Sequence, residues 1–238
     1  MSSRVVLGAS AVKRPAHSDT GGFMGLPPTG RAFEVPMVML ASLDDRHIVR
    51  ERRIYDFTGM LVQIGILKAK ATGSMAALAR FGVPASESAG SKAEAGSSTA
   101  RQDIAQLLAN RHEAWARHDV ALIAEQHADT CLMDSHLAGP VTGRAAIRQV
   151  YEAWFAAFPD SSLSSEEVLI DHERVAELTM QSGTDTGGFL GLPPTGKPFR
   201  LPSVWLFTIR HGQLVYVRPI YDFTGMLVQI GVLKAKPA

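Results

Sequence analysis

Apolar and polar positions alternate in two registers along this chain. Ile104, Leu107, Leu108, Arg111 and Trp115 recur at helical spacing, and Ile147, Val150, Tyr151, Trp154, Phe155 and Phe158 do so again. Each set places one stripe on a buried helix face. Between them Asp119 is positioned to cap a short helix over 120–126. The stretch 127–137 shows neither period and reads as irregular. Thr142-Gly143 opens the third helix and Pro159-Asp160 closes it. Strand patterns follow at 165–171, 174–183, 199–210 and 213–221, with His211-Gly212 as a hairpin turn. The segment 226–233 reads as a terminal helix or strand. Helices followed by antiparallel strands make an α+β domain over 101–238.

The front of the chain repeats the back. Tyr55-Asp-Phe-Thr-Gly-Met-Leu-Val-Gln-Ile-Gly65 recurs as Tyr221 to Gly231, and Gly25-Leu-Pro-Pro-Thr-Gly30 recurs as Gly191 to Gly196. Both pairs share an offset of 166, and 19–70 against 185–236 gives about 33 identities in 52 ungapped positions. Repeats of this kind decide domain organisation before any other signal. Strands are expected at 4–12, 33–43 and 48–55. A short apolar segment at 60–67 closes the copy.

The copy holds a sheet half only, because nothing like the helices of 103–158 precedes Arg4. The organisation expected is therefore a partial repeat at 1–71, a flexible linker at 72–100 and a complete domain at 101–238. Residues 84–100 carry no large apolar side chain, too little to offset the entropy of ordering them. An apolar sheet face needs a cover. The first copy either packs on the second domain or borrows its cover from another molecule, unless its own helices were lost from the reading frame; sheet-on-sheet packing as an internal pseudo-dimer is the arrangement expected.

Composition narrows the function. With 24 basic and 23 acidic residues in 238, nothing favours nucleic acid or a membrane surface. One cysteine excludes an internal disulfide framework, and eight scattered histidines show no metal spacing. No apolar run approaches the roughly 20 residues of a membrane helix, and the first residues make a poor signal peptide. A cytoplasmic location is the default. No glycine-rich phosphate loop is present; the paired prolines of Pro27-Pro28 and Pro193-Pro194 remove the N–H groups such a loop needs.

The run Arg174-Val175, Gly183-Thr184, Thr186-Gly187, Gly191, Pro193-Pro194-Thr195-Gly196, Gly212, Asp222 and Gln229-Ile230-Gly231 resembles the SnoaL-like polyketide cyclases, also called ester cyclases. Gly143, Ile147 and Phe158-Pro159-Asp160 fit the same family. The resemblance implies a cone-shaped curved antiparallel sheet wrapped on helices, related to ketosteroid isomerase, with an apolar pocket, and it implies homodimers. It also implies ring closure by an intramolecular aldol condensation with no cofactor and no metal, using an aspartate that maps onto Asp222. His136 falls where a pocket-rim histidine is frequent. Two family histidines are replaced here, by Trp205 and Asp185.

Each candidate has a plain alternative. Asp222 in an apolar pocket is suited to moving a proton beside a carbonyl, yet Asp before Phe-Thr-Gly-Met-Leu is equally a helix cap. His136 either positions a carbonyl or is a loop histidine. Asp185 is a second pocket carboxylate or a turn residue. Arg218 binds an anionic oxygen or pairs on a strand face. Trp115, Trp154, Phe155, Trp205 and Tyr221 line a pocket for a hydrophobic small molecule or fill the core. The expected function is cofactor-independent acid/base chemistry on a hydrophobic carbonyl compound; the alternative is a domain of the same fold that only binds a ligand or dimerises.

Overall fold

In the computed structural model of the chain, the described residues are 4–8, 17–23, 25–35, 37–44, 47–71, 98–135 and 139–237. The linker expected at 72–100 lies almost entirely outside them. From residue 98 on, the chain forms α2 (Ser98–Ala116) and α3 (Val120–Glu125), followed by β7 (His127–Ser135), β8 (Gly139–Thr142) and α4 (Arg144–Ala157). Then come β9 (Ser162–Asp171), β10 (Arg174–Thr184), β11 (Pro198–Arg210), β12 (Gln213–Tyr221), α5 (Phe223–Gln229) and β13 (Leu233–Pro237). The front copy supplies β1 (Arg4–Gly8), β2 (His17–Ser18), β3 (Ala32–Phe33), β4 (Met37–Asp44), β5 (His47–Tyr55), α1 (Phe57–Gln63) and β6 (Leu67–Ala71).

Six strands form the main sheet in the order β8-β7-β12-β11-β10-β9. The sheet is mixed rather than wholly antiparallel, because β12 runs parallel to β7. The segment 127–135, irregular in sequence, is that strand. Its Cys131, Met133 and Ser135 are buried and alternate with more exposed residues, apart from Asp129 and Thr130, so half-burial at period two is present but carried by mixed chemistry.

Alternation along β10, β11 and β12 sorts side chains between two faces. Val175, Phe199, Leu201, Trp205, Phe207, Val217 and Tyr221 enter one core with Ile104, Leu108, Trp115, Ile147, Tyr151, Trp154 and Phe158 from the helices. This is the concave side. Ala176, Leu178, Val204 and Ile220 face the other way, where they meet Val38, Leu40 and Ile54 of the front copy. The β1-β4-β5 sheet therefore lies on the convex face, sheet on sheet.

Three further contacts join the copies. β6 pairs antiparallel with β13, α1 packs on α5, and Arg52 makes an ion pair with Glu166 at 2.5 Å. Helices α1 and α5 end on Ile64 and Ile230, followed by Gly65 and Gly231, both at φ +79°. That left-handed turn is open to glycine at no steric cost and stops each helix.

Ile220 is 3% exposed in the layer between the sheets. Ile220→Ala is expected to lower stability in urea unfolding by about 2–5 kcal/mol. Val168→Ala, at a position 40% exposed, is expected to stay within about 0.5 kcal/mol of wild type.

Candidate ligand cavity and the buried carboxylate pair

A cavity opens between the helices and the concave wall. Trp115 from α2, Val150, Tyr151 and Trp154 from α4, and Met133, Ser135, Gln181, Trp205, Pro219 and Tyr221 from four strands line it. Its volume is about 30 Å³, room for a water molecule or two. A ligand the size of an aromatic ring enters only if these side chains yield. Trp115 is central, meeting Phe155, Tyr151 and Trp205 edge-on at centroid distances of 5.0, 6.0 and 6.1 Å.

Hydrogen bonding in this wall is incomplete in one direction. Trp154 Nε1 donates to Ser161 Oγ at 2.9 Å. The indole nitrogens of Trp115 and Trp205, both buried, find no acceptor among the described residues. Buried donors normally have partners. Both donors belong to side chains that line the cavity.

Behind the aromatic wall lies Arg111, fully buried. Its guanidinium carbon is 4.6 Å from the Trp205 ring centroid, 5.3 Å from Phe207, 5.6 Å from Tyr151 and 5.7 Å from Trp115. Nη1 donates to Tyr151 Oη at 3.2 Å, while Nε and Nη2 have no partner among the described residues. Stripping a cation of water costs several kcal/mol; four ring faces offset part of that. Arg111 was visible in the sequence as the one charge inside the α2 apolar stripe.

Two further polar groups occupy the same interior. His127 Nδ1 sits 2.9 Å from the Ile123 carbonyl, so that nitrogen carries the proton and Nε2 keeps a free lone pair. Burial, and then the Arg111 charge, push the imidazole down to about 3, leaving it neutral near pH 7. Glu177, fully buried, stands directly opposite Trp205 across the β10–β11 ladder. Its Oε1 lies 2.6 Å from His112 Nε2. Neither Glu177 nor His112 stands out in the sequence, because a lone Glu in a strand reads as surface.

Asp222 is placed elsewhere. It is absent from the cavity lining and caps α5, accepting the Gly225 N–H at 2.7 Å. Thr58 of the front copy donates to its Oδ2 at 3.0 Å. Asp56 does the same in mirror fashion, capping α1 through Gly59 N–H at 2.7 Å and accepting Thr224 Oγ1 at 3.0 Å. Burial, followed by the nearness of the Asp222 carboxyl, raises Asp56 to about 7. Like charges held this close favour keeping one proton.

Of the other candidates, Trp115, Trp154, Trp205 and Tyr221 do line the cavity. Phe155 stacks on His118 with centroids 4.4 Å apart, just behind it. Asp185, fully buried, accepts Thr195 N and Oγ1 at 3.0 and 2.8 Å in a turn. Arg218 lies on the convex face, 3.4 Å from Asp134. His136 falls outside the described residues. Among the described residues no His/Cys/Asp/Glu cluster could hold a metal ion, and no helix is long and apolar enough to cross a membrane.

With the fold and interior in view, comparison places the chain. The model of the SnoaL-like polyketide cyclases matches residues 105–230, more than half of the chain, and the protein belongs to that family. A solved structure from Jannaschia sp. CCS1, provisionally described as a SnoaL-like polyketide cyclase, shares 23% identity at a TM-score of 0.52. The match covers 58% of this chain and 96% of that one. AclR from Streptomyces galilaeus, provisionally described as a hydroxylase, shares 25% identity at a TM-score of 0.50, covering 56% of this chain and 98% of AclR. TsrD from Streptomyces laurentii shares 20% at 0.51, covering 56% and 97%. No curated protein matches the chain.

The raised Asp56 carboxyl yields a signed test. An unfolded aspartate titrates near 3.8, against about 7 in the fold. The native state thus keeps a proton that the unfolded chain has released. This contribution to stability is full below about pH 4 and is lost as pH rises through about 7. His127, depressed to about 3, works the other way, because acid charges it only in the unfolded chain. The wild-type profile mixes both. The stability of wild type minus that of Asp56→Asn, by thermal melting, is expected to fall from pH 4 to pH 7. A flat difference would mean the shift is absent.

Proposed function

We propose that the cone admits a small, conjugated, carbonyl-bearing molecule and moves a proton on it without a cofactor. The observation that carries this reading is the aromatic wall with two buried indole N–H groups, Trp115 and Trp205, left without acceptors among the described residues. Apolar surroundings with a few placed donors describe a small-molecule site. A donor aimed at a carbonyl oxygen becomes stronger as charge grows there in an enolate. The family's polyketide-cyclase description fits such a substrate, since aldol ring closure starts by enolising a ketone.

For the proton itself, Glu177 stands outside the cavity lining but directly across the β10–β11 ladder from Trp205, which lines it, with His112 at 2.6 Å. A carboxylate beside an imidazole can take a proton and pass it on. Asp222 lies beyond the end of β12, outside the cavity lining, and is engaged by the Gly225 cap and Thr58. A second reading, ligand binding without chemistry, is supported by the lining itself, whose titratable groups are Tyr151 and Tyr221, both raised by burial.

Deuterium exchange at the α-carbon of a small aryl methyl ketone, followed by proton NMR, separates these readings. The wild type is expected to accelerate exchange, Glu177→Gln to lose about 100-fold or more of it, and Asp222→Asn to remain within a few fold. Loss in Asp222→Asn alone would return the proton to that aspartate. Quenching of tryptophan emission by the ketone with no accelerated exchange would establish binding without catalysis.

A further inference from the structure

Arg111 is the fully buried cation of the cone, and its contacts show which part of it is unused. Nη1 donates to Tyr151 Oη at 3.2 Å. Nε and Nη2 are buried and have no hydrogen-bond partner among the described residues. In a guanidinium these two nitrogens share one edge, and their N–H bonds along it point the same way. That edge is the fork that takes both oxygens of a carboxylate at once. Tyr151 occupies the nitrogen outside the fork.

The chain supplies no anion to fill it. Among the described residues no Asp or Glu forms an ion pair with Arg111. Glu177, across the ladder from Trp205, is held by His112 at 2.6 Å. The rings of Trp205, Phe207, Tyr151 and Trp115 surround the guanidinium. Ring faces attract a cation through a quadrupole and carry no net charge. A buried charge is expensive until it is both paired and hydrogen-bonded. Three of those rings, Trp115, Tyr151 and Trp205, also line the cavity. A ligand large enough to part them therefore meets the guanidinium behind. Tyr151 Oη accepts from Arg111, which leaves its own proton to give to a ligand oxygen.

We propose that the cone binds a carboxylate carried on an aromatic or conjugated skeleton, and that Arg111 selects it by charge. This rests on reading the cavity as a ligand site, and it narrows the ligand from a carbonyl compound to an acid. The skeleton lies among the lining rings, and the carboxylate closes the Nε–Nη2 fork.

Benzoate and benzamide share a ring and nearly a shape, and differ in charge. All three tryptophans line the cavity, so quenching of their emission follows either probe at fixed ionic strength. The full-length wild type is expected to bind benzoate about tenfold or more tighter than benzamide. Arg111→Met removes the fork and keeps an unbranched apolar stem. It is expected to lose the preference while holding benzamide within about threefold of wild type. Equal binding of the two probes by wild type would overturn selection of an anion and leave the neutral-carbonyl reading standing. A preference that survives in Arg111→Met would overturn the assignment to Arg111. Binding of neither probe would overturn this proposal and the cavity reading together. Should the variant not fold, nitrogen NMR on wild type labelled at arginine decides. The Nε–H resonance of Arg111 is expected to shift with benzoate and not with benzamide; an unmoved resonance would overturn the proposal.

Discussion

A sheet that is apolar on both faces needs two covers, and this requirement organises the whole molecule. Along β10 the side chains from Val175 to Thr179 are all buried, whichever face they point to. Helices α2 and α4 cover the concave side. The convex side is covered by Val38, Leu40 and Ile54. Without that layer, Ala176, Leu178, Val204 and Ile220 would form a contiguous exposed apolar patch, the kind of surface that associates. The front copy solves the same problem from its own side, since a small sheet with one apolar face has no core to fold around.

Polar groups at the two faces are handled differently. At the copy boundary every cap is used twice. The Asp222 carboxylate holds α5 through one oxygen and receives Thr58 through the other, and Asp56 does the same for α1. Glycine at 59 and 225 is required because a Cβ there would strike the capping carboxylate. Inside the cone the reverse holds. Arg111, Trp115, Trp205, Glu177 and His127 all keep buried atoms without hydrogen-bond partners among the described residues. A satisfied network rigidifies, and an unpaired buried polar group is costly; the boundary is of the first kind.

Much of this was legible in the sequence, for physical reasons that can be named. Strand β12 was read at its observed limits because a turn at His211-Gly212 and the Tyr-Asp helix start bracket it. The helical stripes of α2 and α4 found their core because large apolar residues at 3.6 spacing have few other solutions. The 166-residue offset is plain in the sequence, and Val38, Leu40 and Ile54 of the first copy meet Ala176, Leu178, Val204 and Ile220. The face of Asp222 was not legible. It follows from counting strand alternation from Tyr221, and the helix start at Phe223 interrupts that count. Glu177 was hidden because partners across a ladder are far apart in sequence. Arg111 was in plain view, yet a charge within an apolar stripe does not announce four rings around it.

Amide hydrogen exchange bears most directly on the central claim, that one shared layer welds the duplicated half to the cone. Backbone amides of β4, β5 and β6, with Gly59 N–H, are expected to exchange at the rates of β13 and Gly225 N–H, as one cooperative unit. Rapid exchange throughout 17–71 beside a slowly exchanging 98–237 would show two independent bodies and contradict the claim.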